Sequence, residues 1–195
     1  MISLYQHELL KQHAACVVWF TGLSGAGKTT LALALQNTLH HQGIHTAMLD
    51  GDCLRHGLNS DLGFSQEDRA SNVQRTAQVC KLMVDAGLVV IVSLISPHAQ
   101  SRNKARSLFN EDQFFEVYVN TPLEVCEQRD PKGLYGRARR GEIPLFTGIS
   151  AGYEVPENPG LILQTHEHSV SDCIESLLAM LEPALKRRLA DQQPD

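Results

Sequence analysis

Gly22-Leu23-Ser24-Gly25-Ala26-Gly27-Lys28-Thr29 has the spacing G-x-x-x-x-G-K-[ST], in which glycines let successive backbone N–H groups curl around phosphate oxygens. An apolar stretch, Ala15–Phe20, precedes it, and a helix-forming stretch, Leu31–Leu39, follows. That is the strand–loop–helix context in which a helix N-terminus adds its positive end to the same anion site. Gly22 through Thr30 are therefore the candidate residues for binding ATP. Lys28 can bridge the β- and γ-phosphates, and the Thr29 hydroxyl can ligate magnesium. A second strand-like run ends in Leu49-Asp50-Gly51-Asp52. In open α/β sheets the carboxyl ends of the strands line the ligand crevice, which brings both carboxylates towards the loop. One can orient hydrated magnesium, with Asp50 the candidate ligand. The other can accept the proton of an attacking hydroxyl, and the sequence leaves open which.

The acceptor side is less specific. Arg55 is followed by Arg69, Asn72 and Arg75 at steps of three, one broad helix face suited to an anion that carries an amide-readable base. Phe64 ends the apolar group just before that helix, where it could stack a base or simply join the core. From Arg129 to Arg140 five cations (Arg129, Lys132, Arg137, Arg139, Arg140) stand against one acid, Asp130, inside a stretch rich in glycine and proline that runs to about residue 160. A basic, hinged segment of that length is expected to be a lid that closes over a triphosphate and excludes water.

The elements that must position these residues alternate. Strands are expected at Ala15–Phe20, Thr46–Leu49, Leu88–Leu94, Phe114–Val119 and Leu161–Leu163, and helices at Lys28–His41, Gln66–Ala86, Gln100–Phe109, Pro122–Gln128 and Val170–Leu189. Val89-Val90-Ile91-Val92 shows no polar alternation, as a strand covered on both faces requires. Ser65 and Thr121 are expected to cap helices, the latter with Pro122 and Glu124, while Gly43 and Gly87 end them. The pattern implies an α/β fold with a parallel sheet and right-handed crossovers.

Bulk properties narrow the class. The chain has 195 residues, 43% hydrophobic and 20% charged, enough for one α/β domain, 1–195, with its own core. A net charge of −5 argues against a general nucleic-acid partner. Five scattered cysteines without a C-x-x-C pair suggest neither a zinc knuckle nor a disulfide framework. No signal-peptide pattern opens the chain and no apolar run could span a bilayer, so a cytoplasmic protein with no membrane partner is expected. The only Asn-Lys pair, Asn103-Lys104, is followed by Ala105-Arg106, which departs from the N-K-x-D of a guanine-specific switch. A kinase acting on another small hydroxyl acceptor, such as a sugar acid, fits the same architecture.

Six segments, in order, resemble the adenylylsulfate kinases: GLSGAGKTT (22–30), LDGDCLRHGLNSDLGFSQEDR (49–69), VSLISP (92–97), TPLEVCEQRDPKGLY (121–135), FTGI (146–149) and YEVPENP (153–159). The resemblance runs from about Cys16 to about Thr165. It implies a P-loop NTPase-type fold of three layers, a central parallel sheet flanked by helices, with a basic lid at about 130–160. The implied reaction carries the γ-phosphate of ATP to the 3′-hydroxyl of adenylylsulfate, with magnesium, in sulfate assimilation. By similarity, Arg55, Phe64, Arg69, Asn72, Ile95, Lys132 and Phe146 hold adenylylsulfate, the two phenylalanines sandwiching its adenine and the arginines meeting its phosphate–sulfate group. Lys28, Asp50 and Asp52 would act in catalysis, and Ser96 lies where the family often carries a serine marked as a phosphorylated intermediate. A homodimer and functional coupling to ATP sulfurylase are further implications. After Ile95-Ser96-Pro97 stand His98 and Ala99, where the family usually has an aromatic residue and an arginine. Arg102 is the cation that could take that place.

Overall fold

A computed structural model describes residues 2–190. Five strands, β1 (Val17–Thr21), β2 (Thr46–Asp50), β3 (Val89–Ser93), β4 (Phe114–Val119) and β5 (Leu161–Leu163), form one parallel sheet in the order β2-β3-β1-β4-β5. Eight α-helices accompany them among the described residues: α1 (Leu4–Lys11), α2 (Lys28–His41), α3 (Gly51–Arg55), α4 (Gln66–Asp85), α5 (Ala99–Arg106), α6 (Leu123–Arg129), α7 (Leu134–Arg139) and α8 (Val170–Ala190).

The central strands are apolar throughout because both faces of the sheet are covered. Val18, Phe20, Ile91 and Val117 point into one core with Leu31, Leu35 and Leu39 of α2 and Leu177 and Leu181 of α8. Their neighbours Val17, Trp19, Val90 and Val92 point the other way, onto Val73, Ala77, Cys80 and Val84 of α4 and Ala105 of α5. The period of two in the strands thus separates two cores and yields the three layers. Register puts Asp50 beside Ser93 and Phe20 beside Ser93, so the carboxyl ends of β1, β2 and β3 finish at one edge.

Ser65 caps α4, its hydroxyl accepting from the Asp68 amide at 3.1 Å, and Gly43 and Gly87 have left-handed φ values of 78° and 80°. One of the expected caps differs. Helix α6 begins at Leu123 with Pro122 in the cap position, and the Thr121 hydroxyl donates to the Ala26 carbonyl at 3.0 Å instead. Helix α5 begins at Ala99, and Ser96 does not cap it. Three short helices escape the hydrophobic pattern: α1, α3 and α7. The first has a sequence signal, a capping box between Ser3 and Gln6. Asp50 nucleates the second, its Oδ1 accepting the Asp52 amide at 3.0 Å, so Asp-Gly-Asp opens a helix rather than a turn.

Candidate active site

A cleft of about 640 Å³ opens at the carboxyl edge of the sheet, between the glycine-rich loop, α3, the start of α4 and the 129–147 segment. Backbone geometry explains the loop. Gly22 has φ 145°, and a Cβ there would lie 2.6 Å from the Val119 carbonyl oxygen, so only glycine lets β1 turn this close to β4. Gly27, at φ 103°, ends the loop and hands the chain to α2.

Ser24, Gly25, Gly27, Lys28, Thr29 and Thr30 line the cleft, while Gly22, Leu23 and Ala26 are not part of its lining. Lys28 is buried and its Nζ donates to the Leu23 carbonyl at 2.7 Å. Burial lowers its pKa to about 8, only partly opposed by nearby anionic groups including Asp50 and Asp52. A buried ammonium held by a single carbonyl is ready to exchange that partner for a phosphate. Thr29 Oγ1 donates to Asp50 Oδ2 at 2.9 Å and lies 3.1 Å from Ser93 Oγ, which puts three oxygens in one place. Asp50 is thus committed to Thr29 and to the start of α3. Asp52, two residues on, is exposed, and its carboxylate is paired with Lys132 of the lid.

The acceptor-side residues also converge. Arg55, Phe64, Arg69, Asn72, Ile95, Ser96, Lys132 and Phe146 all line this one cleft. Their detailed arrangement differs from a simple picture of arginines aimed at an anion. Arg55 stacks on Phe64, its guanidinium 4.3 Å from the ring centroid, and donates to the Leu62 and Gly63 carbonyls. Arg69 donates to the Phe64 carbonyl at 3.1 Å and to the Leu145 carbonyl at 2.7 Å, fixing the backbone on either side of the pocket beside both phenylalanines. Burial pushes both guanidiniums down from their usual value, and the Arg55 charge adds to the effect at Arg69. Two partly desolvated cations side by side make this wall receptive to an anion. Phe64 is 49% exposed, which suits a stacking platform, whereas Phe146 is buried edge-on against Tyr135 at 5.0 Å. Asn72 Oδ1 accepts from the Asn59 amide at 2.8 Å.

Ser96 and Arg102 take positions that the sequence does not suggest. The Ser96 hydroxyl is buried, accepting from Trp19 Nε1 at 3.1 Å and donating to Thr21 Oγ1 at 2.9 Å. Arg102 does not line the cleft. It is buried beneath it, donating to Glu116, to the Ser96 carbonyl and to the Glu154 carbonyl at 2.8, 2.8 and 2.7 Å. It therefore supports the Ile95–Pro97 segment from behind and does not supply the cation expected of it. Thr21 Oγ1 donates to the Ile95 carbonyl, and the Glu154 amide to the Pro97 carbonyl, completing the support.

The lid folds against the loop. Tyr135 OH donates to the Ser24 carbonyl at 2.9 Å, and Arg129 donates to both oxygens of Thr165 at 2.9 and 2.8 Å. Of the five lid cations only Arg129 and Lys132 line the cleft; Arg137 and Arg140 pair with Glu142, and Arg139 with Glu127. Sequence reasoning missed Ser93, Thr121 and Thr165. Thr121 and Thr165 both donate to the Ala26 carbonyl and brace the loop. No local pattern marks these contacts, since strand register and chain crossing alone bring the residues there.

The profile of the family described as adenylylsulphate kinase matches residues 14–164. The chain belongs to the adenylylsulfate kinase family. As a member it is an ATP-dependent kinase. The adenylyl-sulfate kinase of Vibrio vulnificus is 56% identical over 180 residues, which cover 92% of this chain and 87% of that protein. That of Marinobacter nauticus is 53% identical over 172 residues, covering 88% and 86%. A solved structure of the Mycobacterium tuberculosis APS kinase, in complex with AMPPNP and APS, matches with a TM-score of 0.83 at 48% identity. It covers 87% of this chain and 98% of that one. The solved Mycobacterium tuberculosis kinase is thus similar in fold to the parallel sheet and flanking helices described above. Among the described residues no helix is long and apolar enough to cross a membrane.

Proposed function

We propose that this adenylylsulfate kinase, acting as one domain, binds ATP on the glycine-rich loop and adenylylsulfate between Phe64 and Phe146, and joins them in line. The 3′-hydroxyl oxygen forms a bond to the γ-phosphorus, the bond to the β,γ-bridging oxygen breaks, and ADP and 3′-phosphoadenylyl sulfate result. The hydroxyl proton goes to Asp52. That role falls to Asp52 because Asp50 already holds Thr29 and caps α3, whereas the Asp52 carboxylate is exposed and pairs with the exposed Lys132 side chain.

Thr29 and Asp50 present oxygens to the same point, a donor set that fits magnesium, which keeps most of its water and takes few protein ligands. Bound there with ATP, magnesium would neutralise the phosphates. Lys28, Arg129 and Lys132 surround the triphosphate with positive charge, and Tyr135 ties the lid to the loop so that closure can exclude water. Ser96 holds the shape of the Ile95–Pro97 backbone. Five cysteines free of disulfides suit a cytoplasmic setting. A homodimer and coupling to an ATP sulfurylase follow from the family resemblance and belong to the same proposal.

The observation that carries this reading is the convergence of Arg55, Phe64, Arg69, Asn72 and Phe146 with Lys28 and Asp52 on one cleft. A sugar-acid acceptor carries no planar base to stack on Phe64 and Phe146. The test is ADP release by the purified protein offered adenylylsulfate, its 3′-deoxy analogue, AMP or gluconate. Release is expected with adenylylsulfate alone. Equal rates with the 3′-deoxy analogue would refute the acceptor atom, and a preference for gluconate the acceptor class.

A further inference from the structure

Asn72 lines the cleft from α4, beside Arg69 and Val73, and is 8% exposed. Its two amide ends are in different situations. Oδ1 accepts from Asn59 Nδ2 at 2.8 Å, whereas Nδ2 has no partner among the described residues. The sealed, unpaired side-chain atoms among those residues are Asn59 Oδ1 and Thr147 Oγ1. Asn72 Nδ2 is therefore unpaired but open, and the space it meets is the cleft that the residue lines.

Asn59 itself is fully buried and outside the cleft lining, on the turn between α3 and α4. That turn is held on every side. The Asn59 amide donates to the Leu54 carbonyl at 2.9 Å, and the Asn59 carbonyl accepts from the Leu62 amide at 3.2 Å. Arg75 donates to the Leu58 carbonyl and to both oxygens of Asp61, and Arg55 donates to the Leu62 and Gly63 carbonyls. The Asn59 side chain is thus a donor fixed in place against α4.

The direction of this bond has a physical reason. A side-chain amide has one acceptor atom and a nitrogen with two donors. With both amides reversed, Asn59 would bury an unpaired NH₂ where it now buries an unpaired carbonyl oxygen, and orphaned buried donors are the rarer of the two. Reversal would also turn Asn72 Oδ1 towards the ligand, although phosphate and sulfate oxygens only accept.

We propose that Asn59 is a positioning residue for the acceptor: it takes up the carbonyl of Asn72 and so aims the Asn72 Nδ2 donor at adenylylsulfate. The proposal rests on the adenylylsulfate kinase reading above. Asn59 touches no substrate and acts through one hydrogen bond.

The experiment compares wild type, Asn59→Leu, Asn72→Ala and the double variant, full chain, by thermal unfolding and by steady-state kinetics varying each substrate. Leucine keeps the branched shape and loses the donor. It removes one bond and one unpaired carbonyl together, so melting should stay near wild type. With the Asn72 amide free to turn, KM for adenylylsulfate should rise about five- to tenfold, with KM for ATP and kcat near wild type. Asn72→Ala should raise the same KM at least as much. On that background Asn59→Leu should add less than about twofold, because its only route to the ligand is gone. A general loosening of the turn would raise KM further in the double variant. An unchanged KM in Asn59→Leu or in Asn72→Ala, a rise shared by ATP, or losses that multiply in the double variant overturn the proposal. Should leucine fail to pack, Asn59→Ala carries the same kinetic test. Wild type without activity on adenylylsulfate would instead sink the functional reading, which keeps the two failures apart.

Discussion

Replacing Arg102 with methionine should destabilise the protein and weaken its acceptor site together, although Arg102 touches neither substrate pocket nor loop. The guanidinium is 2% exposed and makes three hydrogen bonds, to Glu116 at 2.8 Å, to the Ser96 carbonyl at 2.8 Å and to the Glu154 carbonyl at 2.7 Å. Removing one partner of a buried pair strands the other charge, which costs about 3–5 kcal/mol. Glu116 keeps a second partner, Arg106 at 2.7 Å, so the lower end applies. For a chain of this size about 3 kcal/mol corresponds to a melting shift of roughly 6 to 12 °C. Loss of the bond to the Ser96 carbonyl also frees the Ile95–Pro97 backbone, so KM for adenylylsulfate should rise while KM for ATP holds. The assay is thermal unfolding by circular dichroism with steady-state kinetics on the same samples. Arg106→Met is the control, because that half-exposed pair should contribute about 1 kcal/mol or less. In Arg102→Met/Glu116→Leu an apolar pair replaces the stranded charge, and much of the loss should return. A shift in Arg102→Met no larger than in Arg106→Met refutes the reasoning.

Lys28 makes a prediction about pH. Burial holds it at about 8, below its unfolded value of about 10.4, so between those values the unfolded chain carries the extra proton and stability at this site rises with pH. Below about 8 the cost of burying the charge is fully present. Phosphates restore the charge, so ATP binding above about pH 8 should take up a proton, visible by calorimetry in buffers of different ionisation heat and abolished in Lys28→Met. Asp52→Asn should lower kcat by about 10²- to 10⁴-fold with unchanged melting, and a near-normal kcat would move the base elsewhere. Ser96→Ala leaves Trp19 Nε1 unpaired and should cost about 1–3 kcal/mol of stability. It should keep most of its turnover, and a loss of about a thousandfold or more would restore a nucleophilic role for the serine.

Much of this was legible without coordinates, and the reasons are local. The strands at Phe114–Val119 and Leu161–Leu163 and the helix at Lys28–His41 agree with the sequence reading to the residue. In each, the local hydrophobic pattern carries the signal. Thr121 shows the opposite case: its cap signal was sound, but the Ala26 carbonyl, far away in sequence, competes for the hydroxyl. Arg102 looked like a surface cation that could reach a ligand. Glu116 on β4, with Ser96 and Glu154, draws it inwards.

The sequence alone determined the phosphate loop and its chemistry, because glycine spacing, lysine and hydroxyl act within eight consecutive residues. Family segments determined the acceptor class in the same way, through residues whose order along the chain is itself the signal. Only tertiary structure decided which carboxylate is committed to Thr29, which lid cations face the cleft, that Ser96 is a buried brace, and that Asn59 takes up the side-chain carbonyl of Asn72. Each of those outcomes depends on which distant group wins a hydrogen bond. That competition is settled by sheet register and helix packing, which no stretch of sequence contains by itself.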